Sequence, residues 1–372
     1  MRTQIIFFIA GIIFLAGCKE KYDLPLTSSN QSLLVVEGNL TVGGPTTIRL
    51  TKTFRLEDTA KVQPVNGAIL RVEGKDNSSQ PLASSGNGYY ESPGLNLLPG
   101  NEYRLRIRTI DGKEYLSDYV RAQLAPAIDS ISWRRTAEGV SIFANSHDPS
   151  NNTKYYRWEY VETWEYHSPY PPNIIYENDN MRPRVFPQED VSTCWSTVLS
   201  SNILLANSLR LESDVISMAP LLSIPEGNYK ISTRYSILVK QYALSREAYR
   251  FYELLKENTE NLGGFFGPMP SEISGNITCI SNPNEIVVGF VTASSVAEQR
   301  IFINNAEVAP WAKWPGCLQQ EVPYHRDSIR FALAQGMLPV YDQFFPPKYV
   351  FATSMCVDCR ERGGVTTRPA FW

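Results

Sequence analysis

The chain reads as a mainly β protein: an N-terminal β-sandwich of immunoglobulin or transthyretin type over residues 32–125, then a larger β-sandwich region over 126–372 with one inserted helix. Three observations predict this. Apolar and polar residues alternate with period two in many short segments, turn residues separate those segments at even intervals, and aromatic residues are abundant, with 20 Tyr and 7 Trp in 372 residues. The net charge of −3 carries no nucleic-acid footprint and no strong steering field for a charged substrate.

The first element is a leader. Met1-Arg2 supplies a basic start, Ile5 to Leu15 an apolar run too short to span a bilayer comfortably, and Leu15-Ala16-Gly17 small residues before Cys18. Leu-Ala-Gly-Cys resembles the lipobox of bacterial lipoproteins. That resemblance implies that residues 1–17 are a signal peptide and that Cys18 becomes the acylated, palmitate-bearing N-terminus. Several acyl chains on one cysteine make a stable anchor, because each buried methylene contributes about 0.8 kcal/mol. No other apolar run is long enough to cross a membrane. Residues 18–31 are polar, charged and without period, and predict a tether. Its Lys19-Glu20-Lys21-Tyr22-Asp23 cluster loosely resembles the charged export signals of Bacteroidota surface lipoproteins, and reads equally well as a solvated tail.

The N-terminal sandwich follows from its alternation. Ile48 and Leu50 face one way in Thr47–Thr51, Ala68, Leu70 and Val72 alternate with Ile69, Arg71 and Glu73, and Tyr103, Leu105 and Ile107 alternate with Arg104, Arg106 and Arg108. Gly43-Gly44-Pro45, Gly86-Asn87-Gly88, Pro99-Gly100 and Asp111-Gly112 supply turns. The three arginines form the solvated face of an amphipathic strand, with an anion-binding stripe as the alternative.

Pro126 and Asp129 mark the join to the larger region. Ser130–Trp133 and Gly139–Phe143 predict a hairpin. The longest strand signal follows, with Tyr156, Trp158, Tyr160, Glu162, Trp164 and Tyr166 on one face. This row predicts a sandwich core whose Trp164 and Tyr166 end is exposed; an aromatic platform for sugars or a peptide is the other reading. Residues 168–190 hold five prolines and predict a long binding loop, with Tyr170 and Tyr176 as contact residues. Tyr229 to Val239 alternate as a strand. One helix is expected over 245–262, capped by Ser245, with Ala248, Phe251, Tyr252 and Leu255 on its apolar stripe and Gly263-Gly264 as its stop; with the loop 168–190 and the Trp164 and Tyr166 end, it is where partner or ligand contacts are expected. Residues 285–292 predict a buried strand.

Five cysteines follow Cys18: Cys194, Cys279, Cys317, Cys356 and Cys359. In an exported chain they are expected to form disulfides, with one left over. Cys356-x-x-Cys359 lacks the further ligands of a zinc site, with only Cys317 or His325 near in sequence, and lacks the βαβ context of a thiol oxidoreductase. The expected pairing is Cys194 with Cys279 and Cys317 with Cys356 or Cys359, connectivity being open in sequence.

The sequence contains no nucleophile elbow, no zinc-protease helix and no phosphate loop. Glu159 with Glu162 or Glu165 is the weak carboxylate-pair candidate. No catalytic residue, metal or cofactor is expected. Asp58-Thr59-Ala60, Asp129-Ser130-Ile131 and Asp327-Ser328-Ile329 resemble Bacteroidota O-glycosylation sites, with Thr59 the favoured acceptor.

Cys356-Val357-Asp358-Cys359-Arg360-Glu361-Arg362-Gly363-Gly364 and the closing Arg368-Pro369-Ala370-Phe371-Trp372 resemble a Bacteroidota lipoprotein family known as domain of unknown function 4249. Val35-Val36-Glu37-Gly38, Tyr155-Tyr156-Arg157-Trp158, Cys194-Trp195, Arg234 to Val239, Gly275 to Cys279 and Arg300 to Ile303 share in the resemblance. It implies an outer-membrane lipoprotein facing the cell surface, encoded beside TonB-dependent receptors. The expectation is a non-catalytic binding or accessory subunit of such a receptor, in nutrient capture or uptake. A scaffold of an envelope complex and a glycan or peptide hydrolase are the alternatives.

Overall fold

The computed structural model describes residues 32–53, 63–260, 275–311 and 316–372. Cys18, the leader 1–17, the tether 18–31, Thr59 and the expected helix end at 261–262 lie outside the described residues. The described chain is mainly β, built as two sandwich-like units and a small third module.

In the first unit one hydrogen-bonded path folds over a single core. It runs in space through Glu114–Ser117, Glu102–Arg108, Ile69–Gly74, Ser79–Gly86, Tyr89–Ser92, Thr46–Lys52 and Leu34–Thr41. The alternation does what it must: Ile48, Leu50, Leu70, Leu105 and Ile107 are buried, and the arginines between them point outward. Arg104 and Arg106 reach Glu73 at 2.8 and 2.6 Å, so two of the three arginines are paired within the sheet. Buried tyrosines satisfy their own hydroxyls; Tyr90 accepts the Ala68 N–H at 2.9 Å and donates to the Val65 carbonyl at 2.8 Å.

This unit is not finished at residue 125. Ile277–Cys279 pairs antiparallel with Glu114–Ser117, while Val287–Val288 and Thr292–Ser294 pair parallel with Leu34–Thr41. The segment read as a strand of the second region therefore belongs to the first sheet, and the second region interrupts the first. The cause is the unpaired edge of Leu34–Thr41, which a parallel strand can cover only after a long crossover. Gly289, at φ +143°, lets the returning chain pass that edge: a Cβ there would collide with the Val36 carbonyl.

The second unit is a sandwich of a three-stranded sheet (Ile128–Thr136, Gly139–His147, Val215–Pro225) and a larger sheet. In the larger sheet Tyr155–His167 is central. It pairs with Thr193–Leu199 and Leu204–Asn207 on one side and with Arg234–Leu244, then Val296–Asn304, on the other. The aromatic row faces the three-stranded sheet as core. Several of its polar atoms find partners inside: Trp158 donates to Gln241 at 2.9 Å, and Gln241 donates to Ser146 at 2.9 Å, while the Trp164 indole nitrogen is buried without one. Glu162, the one acid in the row, is buried between Lys230 at 2.9 Å and the Tyr235 hydroxyl at 2.9 Å.

A small third module lies beyond the two units. Gln319–Val322, Met337–Phe344 and Pro347–Thr353 form a small sheet covered by a second helix, Arg326–Ala334. The proline-rich stretch 168–190 is no free loop: Ile174–Glu177 and Asn180–Pro183 form a hairpin whose Tyr176 and Met181 pack on Val322, Ile329 and Phe351. Prolines obscured the period, and the apolar face that covers the hairpin lies more than a hundred residues downstream.

The disulfides are Cys194–Cys359 and Cys317–Cys356, and Cys279 is a buried free thiol. The expected Cys194–Cys279 pair is thus corrected. Pairing of Ile277–Cys279 with the first unit carries Cys279 away from Cys194, which faces the chain's last segment.

Candidate functional site

Because side chains alternate across a strand, sending the aromatic row inward leaves Tyr155, Arg157, Glu159 and Glu165 on the outer face of the larger sheet. Register then sets their neighbours. Arg157 stands beside Tyr242 and Glu159 beside Lys240, which stands beside Glu298. These rows floor a cleft of about 1140 Å³ between the two sandwich units. Strand Leu34–Thr41 forms one wall through Val35, Glu37 and Asn39, the helix Arg246–Glu260 forms the other through Phe251, Tyr252 and Leu255, and Phe290 closes the base.

The helix is placed by its sequence. Ser245 caps it, accepting the Ala248 N–H at 3.1 Å, and its apolar stripe turns toward the sheet. Tyr249 packs on Tyr155 with ring centroids 5.0 Å apart and planes tilted by 43°, and its hydroxyl accepts from Asn207 at 3.0 Å. Phe251 meets Phe290 at 5.4 Å, so the helix touches both units.

Arg157 is the post between them. Its guanidinium lies 4.7 Å from the Tyr242 ring and 4.6 Å from the Tyr252 ring, and bonds Glu159 at 2.9 Å. Burial works against its charge, but Tyr252, Glu159 and Tyr242 more than offset this and raise its pKa. Its Nε is buried without a hydrogen-bond partner. Burial, then the Glu159 carboxylate that accepts its hydroxyl at 2.8 Å, raises the Tyr242 pKa. Lys240 and Glu298 pair at 3.2 Å, and Glu260 accepts the Ile203 N–H at 2.7 Å. The cleft thus offers ring faces, alternating charges and hydroxyls. Among the described residues no histidine or cysteine lines it, and no group of three or more His, Cys, Asp or Glu is placed to hold a metal.

The contact residues read from sequence fall elsewhere. Trp164 and Tyr166 are core residues, not an exposed end: Trp164 packs edge-on to Tyr229 at 6.0 Å, and Tyr166 donates to the Cys359 carbonyl at 2.9 Å. The C-terminal segment covers this end. Trp195 and Val365 exchange backbone hydrogen bonds at 2.8 and 2.9 Å, and Gly364 lies so close that a Cβ would strike the Tyr166 hydroxyl and Cys194. Tyr170 and Tyr176 are half-buried against the third module. The Arg368–Trp372 motif is structural: Trp372 donates to Glu165 at 2.7 Å, Arg234 lies 4.1 Å from the Phe302 ring and 5.4 Å from that of Trp372, and Arg300 lies over Phe371 at 3.5 Å.

The carboxylate candidates separate likewise. Glu162 faces the core, while Glu159 and Glu165 lie six residues apart on one strand, roughly 20 Å at strand rise and beyond glycosidase spacing. His147 pairs with Asp129 and His167 with Glu165 at the surface, away from the cleft. Of the glycosylation triplets, Ser130 lies in a strand with Ile131 buried, and Ser328 lies in the second helix. Of the expected contact elements, the helix does line the cleft, through Phe251, Tyr252 and Leu255, whereas sequence reasoning missed Arg157, Lys240 and Tyr242. The available signal was the outward face of the longest strand, whose Tyr155, Arg157 and Glu159 are too interactive for a purely solvated surface.

A family model described as "Domain of unknown function (DUF4249)" matches residues 19–300, ending inside strand Val296–Asn304. No curated protein matches the chain. Among solved structures, the crystal structure of chicken CNTN1 FN1-FN3 domains aligns at 14% identity with a TM-score of 0.20, over 56% of this chain and 62% of that one. The chain therefore spans less than two thirds of that structure.

Proposed function

The chain belongs to the family described as a domain of unknown function (DUF4249), and on that premise we propose that it is a lipid-anchored outer-membrane protein that binds rather than transforms. In this reading it serves a TonB-dependent receptor as a capture or accessory subunit, and the cleft between its two sandwich units holds the ligand. The observation that carries the binding part is the floor of that cleft: the Tyr242–Arg157–Tyr252 stack beside the Glu159, Lys240 and Glu298 row. Rings and alternating charges held by their neighbours suit recognition of a polar, ring-bearing or extended molecule. The lipobox-like Leu15–Cys18 supports the anchor, and the family resemblance supports the receptor.

The test is a thermal-shift screen of the protein against oligosaccharides, peptides and metal chelates, repeated with the exchanged pair Lys240→Glu/Glu298→Lys. The exchange keeps an ion pair but reverses its polarity. A shift seen with the wild type and lost in the exchanged protein is expected. A shift that survives the exchange, or none across the panel, would count against the cleft.

A further inference from the structure

The larger sheet of the second unit ends at Val296–Asn304, whose outer edge is open. The Asn305 N–H donates to the Thr233 carbonyl at 2.9 Å, which fixes the parity of the register. Ala297, Gln299, Ile301 and Ile303 bond to Arg234–Leu244, and the backbone groups of Val296, Glu298, Arg300 and Phe302 point away from it. Among the described residues no hydrogen bond reaches those outward groups. The strand has no proline and no bulge to shield it, whereas the opposite edge of the sheet is closed by the chain itself through Trp195 and Val365. Such an edge is a template for a further strand.

The side chains select that strand. Charges on an edge normally repel a partner, but Glu298 and Arg300 are opposite in sign and flank a single residue. When this strand pairs antiparallel with a copy of itself about Gln299, Glu298 of each copy stands opposite Arg300 of the other. The outward groups then make the hydrogen-bonded pairs, and the opposed charges share one face. Shifting the axis by one residue sets Glu298 against Glu298 or Arg300 against Arg300. Arg300 is open to this counter-charge: it bonds the Ser236 hydroxyl at 3.0 Å and lies over Phe371, but among the described residues it forms no ion pair. Glu298 bonds Lys240 through one oxygen and keeps the other. Gln299 falls on the axis, where opposed side chains come closest, and its Oε1 is buried without a hydrogen-bond partner among the described residues. A second Gln299 brings the donor it lacks.

We propose that two copies of the chain pair edge to edge through Val296–Asn304, antiparallel about a twofold axis at Gln299, and so join their larger sheets into one. The inference does not rest on the cleft holding a ligand.

The test is Gln299→Cys in the full-length protein, oxidised in its native membrane, with Ala297→Cys as the comparison. Opposed Cα atoms at position 299 would lie about 4.5 Å apart, within disulfide range, whereas the two copies of position 297 would be offset by about 13 Å along the strands. Peptide mapping of the product should find a disulfide between the two 299 positions about tenfold or more above that between the 297 positions. Adding Arg300→Glu, which sets acid against acid, should lower the yield about tenfold or more, and the exchange Glu298→Arg/Arg300→Glu should restore it although it also removes the Ser236 and Phe371 contacts. An intact Cys194–Cys359 bond in the same map shows that the second unit has folded in each variant. A link at 299 no stronger than at 297, a link to a different protein in its place, or a yield indifferent to the charge changes would overturn the proposal.

Discussion

Replacing Arg157 with Met should loosen the helix Arg246–Glu260 while leaving the first unit's core intact. Two ring faces flank the guanidinium at 4.6 and 4.7 Å in a largely desolvated site, where each such contact contributes about 1 to 2 kcal/mol. Methionine keeps the aliphatic stem and recovers part of that through packing. The expected net loss is about 2 to 3 kcal/mol, or about a 30- to 150-fold fall in protection against opening. Hydrogen exchange of the amides from Tyr249 to Leu255 reads this directly. Amides around Leu70 and Leu105, in the first unit's core, should change little. Arg157→Lys should recover only part of the loss, since an ammonium keeps the charge but not the planar fork. A change below about threefold at the helix, or an equal loss in all units, would refute the claim that this stack ties the helix to the sheet.

Three further outcomes follow from other contacts. Non-reducing peptide mapping should find Cys194–Cys359 and Cys317–Cys356 with Cys279 free; the double change Cys194→Ser/Cys359→Ser, which opens a link spanning 165 residues, should cost about 2 to 5 kcal/mol in urea unfolding. Asp148 caps the Ser150, Asn152 and Thr153 N–H groups. Although burial opposes it, bonding from Ser150 and Thr153 lowers its pKa to about 2. Its contribution is present above the unfolded value of 3.8 and is lost as pH falls through the folded value, so Asp148→Ala should cost about 1 to 2 kcal/mol at pH 7 and almost nothing near pH 2. Gly364→Ala should free the C-terminal segment, seen as faster exchange at the Trp195 and Val365 amides, because its Cβ would meet Tyr166 and Cys194.

Local rules carried the first unit and the aromatic core well. Period-two burial at Leu70, Leu105 and Tyr156 needs only the residues themselves, and Ser245 announced its helix through capping chemistry. What escaped was set by distant partners. The return of 277–294 to the first sheet depends on an open strand edge some 240 residues earlier, and nothing in those residues says which edge they will meet. Trp164 and Tyr166 looked available because the segment that buries them lies near the chain's far end. The cleft is a product of register: Arg157 acquires its rings from Tyr242 on one element and Tyr252 on another, a juxtaposition that alternation within a single strand cannot reveal.

The most direct test of the central claim is gentle detergent extraction of the tagged protein from its native membrane, with mass spectrometry of what accompanies it. A TonB-dependent barrel in near-equal amount and acyl chains on Cys18 are expected. A chain that emerges alone, or without acylation, would contradict it.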